Sequence, residues 1–597
     1  MNEVIVKTIY GKVCGQNEKG INVFRGIPYA KPPVGELRFC PPQTPKSWGD
    51  EIRDATKFGN RAMQNDSPVS GAEPANEDCL YLNVWTPKKI KQPLPVMVWI
   101  HGGAFIMGSA SDPMYDCRVF TEQGGVISVS LNYRLGIFGF LHLGSITENE
   151  KFASSGNAGL LDQIEALRWI KENIKYFGGD PKNITIFGES AGAISVANLL
   201  VMPDAKGLFD KAIIQSSGDP VMLSNNADSH VKEVFKLLNI AEADIKKLQE
   251  VPAEKLLGIQ SNFPTMSFSP VVDGVTIPDD PHILAAQGKA KGIPVIIGAN
   301  KDEYRLFASI DTGLLSWNAE DVRKNLIKIF KPVWSDMEKY YKDISMDLDL
   351  YIQTMNYATF LSPTTRYTTS LSEHAKIFSY FFTYEHPVFK AGHGLDLQFV
   401  FKRIGKSDGM FQIKGYKEKK LSDQMFKAWI AFANTGDPNI RQLPYWPTYG
   451  KAERKVINFN LRSFVEKDPH TDREFWDNLV AKKEYKEVVL EMATDMISAK
   501  GSLENDESVS NLQQKEGYYS VHDTVGDLMK NRKTETILYS IGEAMKSSDG
   551  GGMKMNKMMI RMMSKMTLVK VAKLAGDKFP KGLLEQLNDE LMKIKKK

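Results

Sequence analysis

The stretch Asn183-Ile-Thr-Ile-Phe-Gly188-Glu189-Ser190-Ala191-Gly192 decides how the chain folds. A β-branched, strand-like run enters G-x-S-x-G, and the apolar, helix-like run Ala193-Ile-Ser-Val-Ala-Asn-Leu-Leu200 leaves it. Strand, serine turn and helix in that order are the context a nucleophile elbow requires. So tight a turn strains the serine backbone, and a side chain at Gly188 or Gly192 would collide with its neighbours. The Ser190 hydroxyl is lifted above the sheet edge at a helix start, where free N–H groups favour developing negative charge. Three fixed residues in five also occur by chance in 597 residues, so the assignment needs partners elsewhere.

Upstream, Pro95-Val-Met-Val-Trp-Ile100 is a nearly continuous apolar run, as expected for a strand buried on both faces of a parallel sheet. It ends at His101-Gly102-Gly103-Ala104-Phe105, where small residues let backbone N–H groups converge on a substrate oxyanion. Gly103 and Ala104, with Ala191 beside the nucleophile, are the expected donors. An acid and then a histidine should follow in chain order. The strand-like Ile293-Pro-Val-Ile-Ile-Gly-Ala299 opens into Asn300-Lys301-Asp302-Glu303, which offers two adjacent carboxylates. Asp273, in Val271-Val-Asp-Gly274, is a third candidate, although such aspartates mostly make turns. The residues alone do not choose among the three. Five of the nine histidines follow this acid: His374, His386, His393, His470 and His522. His393, glycine-flanked in Ala391-Gly-His-Gly394 before Leu395-Asp-Leu-Gln-Phe-Val-Phe401, is favoured over His386, which precedes a proline.

From Val4 to Phe475 the chain resembles the type-B carboxylesterase family, which includes the cholinesterases and the bacterial para-nitrobenzyl esterases. The segments that carry the resemblance run in order: Phe24-Arg-Gly-Ile-Pro-Tyr-Ala-Lys-Pro-Pro-Val-Gly35, Glu77-Asp-Cys-Leu-Tyr-Leu-Asn83, Leu131-Asn-Tyr-Arg-Leu-Gly136, Gly178-Gly-Asp-Pro181 and Thr435-Gly-Asp-Pro-Asn439. The pattern of bacterial para-nitrobenzyl esterases is the nearest. The resemblance implies an α/β-hydrolase fold, a central, mostly parallel sheet with helices on both faces. It also implies a Ser190–His393–Glu303 triad, with Asp302 left as a neighbour. Structural ion pairs Arg38–Glu77 and Arg134–Asp162, and a supporting serine at Ser216 or Ser217, are implied in the same way. The expected activity is hydrolysis of a small carboxylic ester through an acyl-enzyme on Ser190. Carbamate, amide or thioester hydrolysis is the near variant, and a non-catalytic adhesion or binding scaffold the rival.

Departures from the family pattern matter too. Arg53 to Asp78 holds no cysteine to pair with Cys79, so Cys79 is expected to be a buried free thiol. With four cysteines in all and no signal-like start, a reducing cytoplasm is the expected location. Arg61 to Glu77, where a cholinesterase carries its choline-stacking tryptophan, has no aromatic residue, which argues against choline esters. Tyr304 stands where the family usually has glycine.

Hydrophobic residues at 42% and charged residues at 25% fit a large globular protein, and no apolar run is long enough to span a bilayer. Neither a dinucleotide fingerprint nor a P-loop is present; no metal, organic cofactor or nucleic-acid partner is expected. The family pattern ends near Phe475, which divides the chain into a hydrolase domain, residues 1–480, and an α-helical extension, residues 481–597. The extension holds 21 Lys and Arg against 17 Asp and Glu. Gly501 to Ser508 and Asp549-Gly-Gly-Gly552 read as linkers, with helices expected over Lys482–Ala499 and Val525–Lys546. Over Met553–Met566, helical spacing puts Lys554, Lys557, Arg561 and Lys565 on one face and Met555, Met559, Met562 and Met566 on another. That pattern suits a small methionine-filled bundle, or a helix that touches anionic lipid or a partner groove.

Overall fold

The computed structural model describes residues 2–66, 71–219, 221, 224–242, 244–310, 314, 317–406, 411–485, 515, 517–544, 567–569 and 583–596. The chain divides into two compact units, Met1–Met496 and Ile497–Lys597. In the first, thirteen strands among the described residues join one sheet. They are β1 (Asn2–Thr8), β2 (Gly11–Glu18), β3 (Ile21–Pro28), β4 (Gly49–Asp54), β5 (Tyr81–Pro87), β6 (Leu94–Ile100), β7 (Ile127–Leu131), β8 (Gly179–Glu189), β9 (Lys211–Gln215), β10 (Val295–Asn300), β11 (Ile377–Phe382), β12 (Lys455–Phe459) and β13 (Phe464–Lys467). Their order is β1-β2-β3-β5-β7-β6-β8-β9-β10-β11-β12-β13, with β4 paired to β2. From β7 to β12 every pairing is parallel. Antiparallel pairings flank this core, through β1, β2, β3 and β5 on one side and β13 on the other. The expected parallel centre is present. Its antiparallel margins left no mark in the apolar runs, because such strands need only one buried face.

Alternate side chains of the central strands feed two cores. Val98 pairs with Ile186, and both are fully buried in one cluster with Leu160 and Ile164 of helix Ala158–Asn173 and Ala193 of helix Ala191–Leu199. Trp99 pairs with Phe187 on the opposite face. There Phe120, of helix Arg118–Gly124, lies 5.2 Å from Phe187 and 5.5 Å from Phe426, of helix Tyr416–Thr435. Helices therefore cover both faces, which is why β6 and β8 are apolar along their buried lengths. Strand order reverses at β6: the chain passes from β6 to β7 on one side, then crosses to β8 on the other. In open parallel sheets, the crevice at the carboxyl ends of strands at such a reversal is where ligands bind. His101 follows β6 there, and Ser190 follows β8.

Two ion pairs brace the loops around this crevice. Arg38 holds Glu77 through Nε at 2.6 Å. Arg134 holds Asp162 bidentately, Nε to Oδ2 at 2.8 Å and Nη2 to Oδ1 at 2.7 Å, and donates to Cys40 O at 2.8 Å. The Arg134 and Asp162 side chains are 3% and 0% exposed. Removing one partner of so buried a pair leaves an uncompensated charge that costs about 3–5 kcal/mol. Arg134→Met should therefore lower the melting temperature strongly. A variant that melted like the parent chain but had lost activity would move Arg134 from the scaffold into the chemistry.

Other features refine the sequence-based expectations. All four cysteines are free, and Cys79 is buried. Tyr304, where the resemblance implies a glycine, is buried in a cluster with Tyr351 and Phe307. In the second unit, helices Val525–Leu528, Arg532–Ala544 and Leu583–Leu591 bury Val521, Val525, Leu528, Leu538, Leu568, Leu584, Leu587 and Leu591. The single helix expected over Val525–Lys546 is broken. One helix ends at Leu528, and Asn531 Oδ1 accepts from the Lys533 N–H at 2.9 Å at the start of the next, Arg532–Ala544. The linkers 501–508 and 549–552, the Met/Lys-rich 553–566 and most of the expected helix 482–499 lie outside the described residues. Among the described residues, no helix is long and apolar enough to cross a membrane.

Candidate active site

Three loops meet at the carboxyl ends of the central strands. The elbow leaves β8 with Ser190 at φ 57°, ψ −125°, a strained conformation for a residue with a side chain. Register explains the two glycines. A Cβ on Gly192 would lie 2.1 Å from Ile100 O, and one on Gly188 2.5 Å from Gly192 C. Ser190 N–H donates to Gln215 O at 3.0 Å, tying the elbow to β9. Its hydroxyl is partly exposed and makes no hydrogen bond among the described residues.

The glycine loop after β6 runs directly over this serine: a Cβ on Gly102 would come within 3.1 Å of Ser190 Cβ. Gly103, Ala104 and Phe105 all have positive φ, at 105°, 53° and 59°. Ile106 and Met107 N–H both donate to Gly103 O at 3.0 Å, closing the turn. The N–H groups of Gly103, Ala104 and Ala191 donate no hydrogen bond among the described residues and stand ready for an acceptor. His101 is stacked on Tyr133, 4.6 Å between centroids, and burial lowers its pKa to about 4, so the loop carries no added charge.

The candidate acid and base follow β10 and β11. Glu303, fully buried after β10, places Oε2 2.6 Å from His393 Nδ1, and its Oε1 accepts from Asn300 N–H at 2.6 Å. His393 N–H donates to Glu303 O at 3.2 Å, so backbone and side chain fix the pair together. Asp302 turns the other way: its Oδ2 accepts from Ala391 N–H at 3.1 Å and anchors the same histidine loop. Of the alternatives, Asp273 caps a turn by accepting from Val275 and Ile277 N–H at 3.0 Å, and His386 caps its own loop through Nδ1. Ser217 Oγ donates to Gly218 O at 3.1 Å. The Ser216 hydroxyl is buried, and neither serine reaches Glu303 or His393 through a hydrogen bond among the described residues.

Several residues at the site were not singled out from sequence. Glu189, within the elbow motif itself, is buried with Oε1 3.2 Å from His393 Nε2, at an angle that makes no hydrogen bond. Burial pushes its carboxyl up to about 8. Burial alone would lower the His393 pKa, but the Glu189 and Glu303 carboxylates outweigh it and raise it. Asp396 accepts from Gln215 Nε2 at 2.8 Å and Tyr380 OH at 3.0 Å, near enough for its charge to act on His393. Phe360 and Phe307 flank the imidazole, 4.6 and 5.3 Å between centroids. A carboxylate between glycine and serine in G-x-S-x-G must lie beside the nucleophile; the rest depend on tertiary packing. The Glu189 carboxylate favours the imidazolium form of His393, and His393 could serve as a base only after losing that proton. Glu189→Gln removes the competing imidazolium state, so the acid limb of the kcat/KM profile should move to lower pH. A limb that stayed in place, or moved up, would show that the Glu189 charge does not raise the His393 pKa.

A serine elbow, a glycine loop and a buried His–Glu pair at the reversal point of a mostly parallel sheet define an α/β-hydrolase. The chain belongs to the carboxylesterase family, whose profile matches residues 2–476, and it is a carboxylic ester hydrolase. It is 40% identical over 489 residues to the para-nitrobenzyl esterase of Bacillus subtilis (strain 168), covering 79% of this chain and 98% of that protein. Human cocaine esterase is 32% identical over 514 residues, covering 78% of this chain and 88% of that protein. Among solved structures, carboxylesterase EST55 of Geobacillus stearothermophilus superposes with a TM-score of 0.73 at 40% identity, over 79% of this chain and 99% of that one.

Proposed function

We propose that Ser190, His393 and Glu303 form the triad of a serine carboxylesterase, with Gly103, Ala104 and Ala191 N–H as its oxyanion hole. The observation that carries the proposal is the buried 2.6 Å contact between His393 Nδ1 and Glu303 Oε2, beside a strained serine at the reversal point of the sheet. His393 takes the Ser190 proton as Oγ attacks the ester carbonyl; the carbonyl electron pair moves onto the oxygen that the three N–H groups receive. Collapse expels the alcohol, protonated by His393, and water activated by the same histidine releases the acid. This requires Nε2 to exchange its contact with Glu189 for one with Ser190 Oγ, a tightening that such sites commonly complete only with substrate bound.

Phe307 and Phe360 present apolar rings beside the reacting centre, which supports apolar carboxylic esters as the substrate class. We assign the chemistry to residues 1–480 and treat 481–597 as an accessory helical extension, a division supported by the end of the family match at residue 476. Four free cysteines support a reducing compartment such as the cytoplasm. A fluorophosphonate probe tests the proposal directly, because only an activated serine reacts quickly. Ser190 should take the label, and hydrolysis of para-nitrophenyl esters should stop as it does. Continued turnover by fully labelled protein, or a label on another serine, would overturn it.

A further inference from the structure

We propose that Gln64 is a positioning residue for the oxyanion loop, an inference that rests on the esterase function proposed above. The loop holds three consecutive positive-φ residues, Gly103, Ala104 and Phe105, two of them with side chains. Such a conformation persists only where the surroundings over-determine it. Two restraints come from the segment after β7: Tyr133 OH donates to His101 O at 2.8 Å, and Gly136 N–H donates to Phe105 O at 2.6 Å. The far end of the loop, Gly108, is held differently. Gln64, 3% exposed, donates through Nε2 to Gly108 O at 2.9 Å and accepts from Gly108 N–H through Oε1 at 2.9 Å. A third bond, Nε2 to Ala62 O at 3.0 Å, fixes the amide's direction, since the flipped amide would set donor against donor and acceptor against acceptor.

Gly108 lies against the start of the same loop. At φ 111°, a Cβ there would stand 2.5 Å from His101 Nδ1 and 2.6 Å from Gly102 O. The Gln64 amide thus pins Gly108, which is packed against His101 and Gly102 at the start of the loop, and reaches it from a segment outside the sheet. It touches neither the nucleophile nor the base among its hydrogen-bond partners. Its effect is exerted through the directions of the Gly103 and Ala104 N–H groups, which stabilise charge present only in the transition state.

The test compares the full-length chain with Gln64→Met, which keeps the volume and loses all three bonds, after titrating the active serine in each preparation. Release of para-nitrophenol gives kcat and KM. An aryl trifluoromethyl ketone probes the oxyanion hole: Ser190 Oγ bonds to its carbonyl carbon, the carbonyl electron pair becomes the oxyanion, and the serine proton goes to His393. The expected result is a kcat roughly tenfold to 10²-fold lower, little change in KM, and inhibitor affinity lower by a similar factor. Gln64→Glu, which retains an acceptor for Gly108 N–H, carries the same comparison if the methionine variant does not fold. Parent-like kcat and inhibitor affinity in titrated enzyme, or a change confined to KM or to melting temperature, would reduce Gln64 to a structural role and overturn the inference. An inert parent chain would overturn the esterase function and this inference together, whereas an active parent matched by its variant overturns this one alone.

Discussion

Ser190→Ala and His393→Ala should each leave a folded protein that hydrolyses para-nitrophenyl esters roughly 10⁴-fold or more slowly than the parent chain. The two losses should be similar, because a nucleophile without its base and a base without its nucleophile fail at the same step. The double variant should lose little beyond either single one. Whatever rate remains measures the glycine loop and substrate binding. The elbow's geometry is set by Gly188, Gly192 and the Ser190 N–H bond to Gln215, so alanine at Ser190 leaves those restraints in place. His386→Ala is the control: its ring nitrogen caps its own loop, and its removal should cost little turnover. Near-normal turnover by Ser190→Ala, or a larger loss from His386→Ala than from His393→Ala, would discard the assignment.

Glu303→Gln should lower kcat by about 10³-fold to 10⁴-fold, by analogy with the aspartate of other serine hydrolases. The carboxylate serves two purposes. It orients His393 Nδ1 at 2.6 Å, and its charge stabilises the imidazolium formed as Ser190 attacks. A glutamine amide keeps the shape, loses the charge and can present an N–H to Nδ1, which selects the wrong tautomer. Asp302→Asn should be mild, since asparagine still offers an oxygen to the Ala391 N–H. Equal losses from the two variants would mean that the acids share the task.

The ambiguity between these two acids has a physical origin. Both side chains reach the same loop, Asp302 to Ala391 and Glu303 to His393, so adjacent positions in sequence become adjacent anchors in space. Local pattern identifies features that are built locally. The apolar runs of β6, β8 and β10, the glycines of the elbow and the His101–Phe105 loop each announce themselves within a few residues. The Glu189–His393 contact, the Asp396 network and the Gln64 clamp join segments far apart in the chain. Their partners are chosen by packing, which leaves no period or spacing to detect. The break before Asn531 shows the reverse failure: one helix was expected across it, and a short polar side chain starts a second helix instead. The resemblance to known esterases implied His393 and Glu303 in sequence, where the residues alone had left Asp302, Glu303 and Asp273 open.

The reversal of strand order at β6 also governs how activity arises during synthesis. Strand β6 lies between β7 and β8, and the proposed acid and base follow β10 and β11, which join the sheet beyond β9. Such non-local parallel pairings form slowly and late. On the triad proposed above, a ribosome that has released Ser190 has made a nucleophile with no base, and a truncated product ending before His393 should be inert. On that assignment the last piece of the chemistry emerges after most of the sheet that must hold it.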